Sequence, residues 1–367
     1  MKIFHVIDSG GLYGAEKMLI ELVNASQDNV QHHIVSIGRP GETEKPLERA
    51  LREQGISYEA FRMPTYSVNS ARKLLEKAQS VGYQVAHSHG YKFNVFFALL
   101  RKNFKGLKFV TTVHGYIPAV FGSKLWWYQL ADRWAMQGLD KLFLVSPHMR
   151  SFRTFRNSKA KTQVILNGIA SSNQPQKRKR YKAENTDDLL LAIGRLSPEK
   201  GFANLIEAVA LCNRSHFHVC LDIMGHGALH DTLAKKCQEL ECTASVKLLG
   251  YVEEPLAGFE NYSAVVVNSV TEGLPITLLE AMRVGLIVIS TRVGAIPYIL
   301  GKDYPLYTDS NQPNDVFSAI LKFLAMDEHQ RNKLSQYLMG KFNSELTSNQ
   351  MAKSYLTHYK ELCNEVA

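Results

Sequence analysis

At 367 residues the chain exceeds what one core holds comfortably, and its length favours two domains of about 200 residues or somewhat less each. An apolar content of 45% with 10% aromatics excludes extensive disorder, and no run approaches the roughly 18 apolar residues of a membrane span. The net charge of +9 is unevenly placed: residues 1–170 carry 23 Lys/Arg against 12 Asp/Glu, whereas 187–367 carry 15 against 21.

The first half alternates short β-rich runs with segments of helical length. Ile3–Ile7, His33–Ile37, Ser57–Phe61, Gln84–His87, Phe109–Val113, Lys141–Val145 and Gln163–Leu166 read as strands, with Glu16–Ala25 and Ala71–Ser80 among the helices between them. That alternation predicts a parallel sheet covered on both faces, a Rossmann-like domain over 1–170. The apolar start is followed at once by Asp8 and a glycine loop, so it reads as a buried first strand rather than a secretory segment. Residues 171–187 are polar, carry Lys177-Arg178-Lys179-Arg180 and lack apolar period, which marks a linker. Alternation then restarts with strands at Leu189–Ile193, His218–Met224, Val246–Leu249, Ala264–Asn268 and Leu286–Ser290. Helices are expected at Phe202–Cys212, Ala228–Leu240 and Ile276–Val284. A second Rossmann-like domain is expected over 188–345, and 346–367 as a terminal helix packing back on the first. The class is α/β, two doubly wound domains facing across a cleft. Ligands of open α/β sheets bind at the carboxyl ends of the strands, which suits a donor on one domain and an acceptor on the other.

The five cysteines all lie in the second half, with neither a C-x-x-C pair nor a histidine at zinc spacing, which fits a reducing cytosol. Between Lys77 and Ala131 no acidic residue occurs, while Lys92, Arg101, Lys102, Lys105, Lys108 and Lys124 are interleaved with Phe93, Phe96, Phe97, Phe104, Trp126 and Trp127. This pattern suits an anionic membrane surface on the inner face of the membrane. The competing reading makes the aromatics core and the lysines a solvated face. No nucleic-acid motif is present, and nucleic acid is not an expected partner.

The chemistry-bearing segments follow strand ends. Thr271-Glu272-Gly273-Leu274-Pro275-Ile276-Thr277-Leu278-Leu279-Glu280 comes after Ala264–Asn268. Gly273 permits close backbone approach, and Pro275 suits the first helical position, leaving the next amides for an anion at the positive end of the helix dipole. Glu280 falls about one and a half turns in, within reach of ribose hydroxyls, or else on an exposed helix face. Ala192-Ile193-Gly194-Arg195-Leu196-Ser197-Pro198-Glu199-Lys200-Gly201 ends another strand, with Ser197 and Pro198 as a helix start. Cations at a helix N-terminus oppose its dipole, so stability alone does not select Lys200. Ser9-Gly10-Gly11-Leu12-Tyr13-Gly14-Ala15-Glu16 joins the first strand to a helix but is not a full G-x-G-x-x-G. Thr112-Val113-His114-Gly115 ends the fifth strand. His87 and His89 end the fourth and read as structural, with acceptor contact as the rival and metal binding lacking partners. There is no D-x-D in the chain.

Two glutamates in an E-x7-E pattern around Gly-Leu-Pro, together with the Gly-Arg…Lys-Gly segment, resemble the donor site of glycosyltransferase family 4, whose members have the two-domain GT-B fold. The motifs occur in order over nearly the whole chain. The resemblance implies a retaining hexosyltransferase that takes a nucleotide diphosphate-sugar, UDP-sugars most commonly and GDP-mannose next. The acceptor is a saccharide or lipid-linked saccharide, as in polysaccharide or lipopolysaccharide synthesis. It implies that Arg195 and Lys200 grip the diphosphate, that Glu272 and His114 contact the donor sugar, and that Glu280 binds the ribose. Gly273, Leu274, Pro275, Ile276, Thr277 and Leu278 line the phosphate site, Gly225 borders the nucleotide, and Tyr251 and Val252 meet the nucleobase. Gly10 and Gly11 line the cleft, although Leu12, Tyr13 and Gly14 are inserted relative to the family's GG-x-E. No cofactor and no metal are expected. The rivals are a nucleotide-sugar 2-epimerase of the same architecture and a non-catalytic two-lobed sugar-binding protein.

Overall fold

The structure, a computed structural model, describes residues 1–8, 11–26, 30–63, 67–116, 119–156, 158, 162–171, 188–252 and 255–364. The chain forms two compact units, one of Met1–Ala170 with Thr347–Ala367 and the other of Ser171–Leu346. Gly10 and residues 172–187 of the expected linker lie outside the described residues.

Among the described residues the first unit holds seven strands: β1 (Lys2–Ile7), β2 (Gln31–Gly38), β3 (Tyr58–Arg62), β4 (Val85–Ser88), β5 (Lys108–Val113), β6 (Lys141–Leu144) and β7 (Thr162–Val164). They run parallel in the order β3-β2-β1-β4-β5-β6-β7. Successive side chains of a strand face opposite ways, so Ile3 joins the cluster of Met18, Val85, Val110 and Phe143 on one side. Phe4 joins Leu74, Phe97 and Phe109 on the other. Both faces are therefore buried, which is why these strands read as continuous apolar runs.

Helix Ser348–Asn364 belongs to this unit. Its Met351, Tyr355, Tyr359 and Leu362 recur at helical spacing and pack on the Ile3 side of the sheet. An isolated parallel bridge between Ile169 and Thr347, with the Ser348 amide donating to the Ile169 carbonyl at 2.8 Å, fixes where this helix starts.

The second unit holds β8 (Asp188–Ile193), β9 (Val219–Met224), β10 (Val246–Gly250), β11 (Ala264–Val267) and β12 (Ile287–Ser290), parallel in the order β10-β9-β8-β11-β12. Its helices Phe202–Arg214, His230–Glu239 and Ile276–Arg283 fall where the periodicity places them, and the last helical stretch resolves into Pro313–Leu324, Glu328–Glu345 and Ser348–Asn364.

The aromatics of the basic stretch divide between the two readings. Phe93, Phe97 and Phe104 are core, and Phe96 packs against it. Trp127 is 60% exposed on helix Lys124–Gly138, beside exposed Phe121, Leu130 and Trp134, which the interleaving argument did not include.

Candidate functional site

In the second unit the strand order reverses at β8: β9 and β10 lie to one side, β11 and β12 to the other. Loops leaving β8 and β11 diverge at such a switch point and leave a crevice outside the carboxyl ends. The two strongest sequence segments leave those two strands. Lys200 from the first and Glu272 from the second meet there, Nζ to Oε1 at 2.5 Å, and the same oxygen accepts the Ser269 hydroxyl at 2.6 Å. The side chains are 22% and 11% exposed, so the pair is largely shielded yet open to a ligand. Lys200, Asn268, Ser269, Glu272, Pro275 and Thr277 line a small pocket at this point.

The helix behind the pair begins at Ile276, where periodicity places it, but Pro275 is not its first residue. Pro275 is the N-cap, in extended conformation, and Ile276 is the first helical residue of Ile276–Arg283. The first amides of a helix have no acceptor within it, which leaves those of Ile276 and Thr277. That of Leu278 is taken by the Pro275 carbonyl at 3.1 Å, which removes it from the expected phosphate donors. Leu274, Ile276 and Leu278 turn their side chains into the core, so only their backbone can meet a ligand. Glu280 is buried at 5% exposure, against the alternative of an exposed helix face. A carboxylate is rarely placed there by packing alone.

Ser197 and Pro198 open a short 3-10 turn, Pro198–Lys200, rather than the long helix, which starts at Phe202 after Gly201. The Ser197 hydroxyl donates to the Glu199 carboxylate at 2.7 Å instead of capping. Arg195 is exposed on the same loop. Gly225 adopts φ +155, and a Cβ on it would lie 1.8 Å from the Gly194 carbonyl oxygen, so the loops after β8 and β9 touch only because this residue has no side chain. Tyr251 stands 57% exposed just after β10, with Val252 half-buried beside it.

One supporting residue escaped the sequence reading. Gly294, at φ +59 in the loop after β12, would place a Cβ 2.3 Å from the Glu272 carbonyl oxygen, and the next residue, Ala295, donates its amide to the Gly273 carbonyl at 2.8 Å. This loop therefore braces the backbone that carries Glu272. The signal available was a glycine four residues beyond a strand end, which many loops share.

In the first unit the order reverses between β1 and β4. There Lys92 pairs with Asp8 at 2.5 Å, and both line a cavity of about 320 Å3 with Gly90 and Tyr91. Gly11 is buried, three residues before the following helix, Gly14–Asn24. Glu16 receives the Tyr13 amide at 2.8 Å, which makes it a cap of its own helix.

His114 follows β5 and is joined through Nε2 to Nδ1 of His89 at 3.1 Å. Burial lowers the His114 pKa from 6.5 to about 4, and burial followed by the His114 charge pushes His89 well below 6.5. His87 is fully buried, bonded to Tyr359 at 2.7 Å and Thr112 at 2.8 Å, a structural role. One nitrogen each of His5, His87 and His89 fall within 4.8 Å of one another, so the histidines do not lack neighbours as the sequence suggested. All six of their ring nitrogens are already in hydrogen bonds, to one another or to His32, His114, Thr112 and Tyr359. That is the arrangement of a polar network rather than of an open metal cage.

Two family models match successive parts of the chain, Glycosyltransferase Family 4 over residues 13–172 and Glycosyl transferases group 1 over 173–338. Among curated proteins, the O-antigen biosynthesis glycosyltransferase WclY of Escherichia coli is 24% identical over 323 residues, covering 84% of this chain and 87% of that protein. The phosphatidylinositol N-acetylglucosaminyltransferase GPI3 subunit of Saccharomyces cerevisiae is 25% identical over 250 residues, covering 65% and 55%. Among solved structures, Anabaena Alr3699/HepE in complex with UDP and glucose superposes with a TM-score of 0.80 at 18% identity over 98% of this chain and 99% of that one. Sucrose-phosphate synthase from Thermosynechococcus elongatus superposes with 0.77 at 17% identity over 99% of each. With both halves matched in order and the two parallel sheets in place, the chain belongs to glycosyltransferase family 4 and has the GT-B fold.

Proposed function

We propose that this glycosyltransferase is a retaining, metal-independent enzyme that transfers a sugar from a UDP-sugar, with GDP-mannose the next choice, to a saccharide or lipid-linked saccharide. The observation that carries the reading is the Lys200–Glu272 pair at the switch point of the second sheet, beside Ile276 and Thr277, whose amides have no acceptor within their helix. Cleavage of the bond from the sugar to the diphosphate leaves negative charge on the departing phosphate. Lys200 and Arg195, with those amides, supply fixed positive charge where other enzymes place a cation. Same-face attack breaks the anomeric C–O(phosphate) bond and forms the C–O(acceptor) bond, and the acceptor proton passes to the leaving phosphate. Glu272 then positions the sugar rather than acting as base. Glu280 takes the ribose, Tyr251 and Val252 the base, and His114 a donor-sugar hydroxyl, as the family resemblance assigns them. UDP and glucose in the HepE complex support the donor class.

The test is donor binding and slow hydrolysis with a panel of UDP-, GDP- and ADP-sugars in EDTA. One nucleotide sugar bound and cleaved without metal is the expected result. Donor interconversion without net cleavage marks a 2-epimerase instead, and a strict need for added divalent cation removes the metal-independent mechanism.

The relatives named for O-antigen and phosphatidylinositol glycosylation favour an acceptor carried on a lipid. Trp127, Leu130 and Trp134, exposed at helical spacing on Lys124–Gly138, with exposed Phe121 just before that helix and exposed Lys124 on it, suit a peripheral contact with an anionic bilayer. Co-sedimentation with anionic but not neutral liposomes at physiological salt is expected, falling at least tenfold in Trp127→Ser/Trp134→Ser. Equal partition of that variant and the parent chain would end this reading.

A further inference from the structure

Four imidazoles lie in a row across the first sheet. His32 Nδ1 meets His5 Nε2 at 2.8 Å, His5 Nδ1 meets His89 Nε2 at 3.0 Å, and His89 Nδ1 meets His114 Nε2 at 3.1 Å. The four come from β2, β1, the end of β4 and the end of β5, which are consecutive neighbours in the sheet. Adjacent rings lie edge to edge, with centroids 5.1, 5.3 and 5.4 Å apart and planes within 21°, 30° and 28° of parallel. Each link joins an Nδ1 to an Nε2, so the row has one direction throughout. Its terminal nitrogens, His32 Nε2 and His114 Nδ1, are buried and have no hydrogen-bond partner among the described residues.

A neutral imidazole carries one N–H and one lone pair. Three links among four neutral rings can then be satisfied in two ways. Either every ring is protonated on Nδ1, leaving a lone pair at His32 Nε2 and an N–H at His114 Nδ1, or every ring is protonated on Nε2 and the ends are reversed. Any mixed arrangement leaves at least one link with two protons or with none. Burial keeps the row neutral: it lowers His32 to about 4, and His5 well below 6.5, where the charges of His32, His89 and His33 act in the same direction. His87 stands beside the row, its ring 4.2 Å from that of His89, with its own nitrogens closed off by Tyr359 and Thr112, and Thr112 in turn bonded to Tyr355.

We propose that His32, His5, His89 and His114 form a proton relay across the first sheet, which fixes from His32 whether His114 Nδ1 presents a proton or a lone pair. A proton taken up at His32 Nε2 releases the His32 Nδ1 proton to His5 Nε2. His5 Nδ1 passes its proton to His89 Nε2, and His89 Nδ1 passes its proton to His114 Nε2. His114 Nδ1 then gives its proton to a hydroxyl or water that reaches it. One proton enters, one leaves, and all four rings have changed tautomer. At the entry end, His32 lines a cavity of about 470 Å3 with Leu22 of helix Gly14–Asn24, Ser26 just beyond that helix, and Tyr355, Lys353 and Lys360 of helix Ser348–Asn364. Use of the relay in turnover, by setting the sense of the His114 hydrogen bond to the donor sugar, rests on the glycosyltransferase reading. The coupling of the rings does not.

The experiment is imidazole 15N spectroscopy of the intact chain at pH 7.5, with signals assigned by single His→Asn variants. All four rings are expected to report the same tautomer ratio. His32→Phe is expected to shift the His114 ratio at least twofold, three rings away, whereas Tyr359→Phe, which removes only a partner of His87, leaves it within error. His5→Phe, read in the same way, serves if His32→Phe does not fold. Opposite tautomers within the row overturn the relay, as does a His114 ratio unmoved by the break. So does stoichiometric zinc captured by the His5, His87 and His89 rings. Failure of every nucleotide sugar to bind would overturn the donor reading and leave these spectra unchanged.

Discussion

Replacing Lys200 with methionine is expected to slow donor cleavage about 10²–10³-fold while the chain keeps its fold, the range seen when one preorganised donor to a developing anion is removed. Methionine keeps most of the aliphatic stem of Lys200 and removes only the ammonium. The loss belongs in turnover rather than in donor affinity, because charge on the leaving phosphate is greater in the transition state than in the bound donor. A structural role would look different. Lys200 is 2.5 Å from Glu272, and removing it strands a carboxylate that is only 11% exposed. If pairing were its whole purpose, Lys200→Met combined with Glu272→Gln would recover activity over Lys200→Met alone, because the stranded charge would be gone. With Lys200 on the diphosphate and Glu272 on the sugar, the double variant is no faster than the slower single variant. Single-turnover cleavage rates of the three variants decide between these outcomes, and a rescue of tenfold or more sinks the diphosphate role.

What the sequence disclosed about this site follows from locality. Lys200 and Glu272 each lie a few residues beyond a strand that apolar periodicity identifies, and an open parallel sheet puts such positions at its carboxyl edge. The strand limits differ from the apolar runs by a residue or two, because the ladder extends over polar ends such as Lys2 and Gln31. Gly294 was hidden because its partner is the carbonyl of Glu272, and a backbone contact leaves no trace in residue type. Burial of Glu280 was hidden because helical spacing alone does not say which face meets the core. The row of histidines was least visible of all. His5, His32, His89 and His114 are scattered over more than a hundred residues, and only the strand order β2-β1-β4-β5 sets them side by side. Among the aromatics of the basic stretch, interleaving could not separate Phe97, which faces the sheet, from Trp127, which faces solvent, since both stand in the same run of alternating basic and aromatic residues.

The same buried rings make the first unit acid-labile. His32 and His114 are each lowered by burial to about 4, and His5, His87 and His89 are displaced in the same direction. A histidine whose folded pKa lies below its unfolded value binds its proton more readily when the chain is unfolded. Its contribution to stability is therefore complete above the unfolded pKa near 6.5 and is lost as the pH falls towards the folded value. At about 1.4 kcal/mol per pKa unit, His32 and His114 each lose on the order of 2 kcal/mol by pH 5. Marginal domains hold only about 5–15 kcal/mol in all. Asp132 opposes the trend: burial raises it to about 6 against the hydrogen bond from Asn94, so it favours the folded state as the pH drops. One such carboxyl offsets only part of five rings. Glu48 enters lower still. Burial would raise it, but hydrogen bonds from Arg62 and Ser36 outweigh that and hold it at about 2, so its contribution fades only below the usual glutamate range. All three tryptophans, Trp126, Trp127 and Trp134, lie on helix Lys124–Gly138 of this unit, so their fluorescence reports it without labels. The urea midpoint followed by that fluorescence is expected to fall by about 1 M or more between pH 7.5 and pH 5, given slopes of roughly 1–3 kcal/mol per molar. Asparagine at both 32 and 114, which cannot titrate, should flatten the pH dependence even if it lowers stability at pH 7.5. A parent chain with the same midpoint at both pH values would mean that the rings are not held neutral by burial.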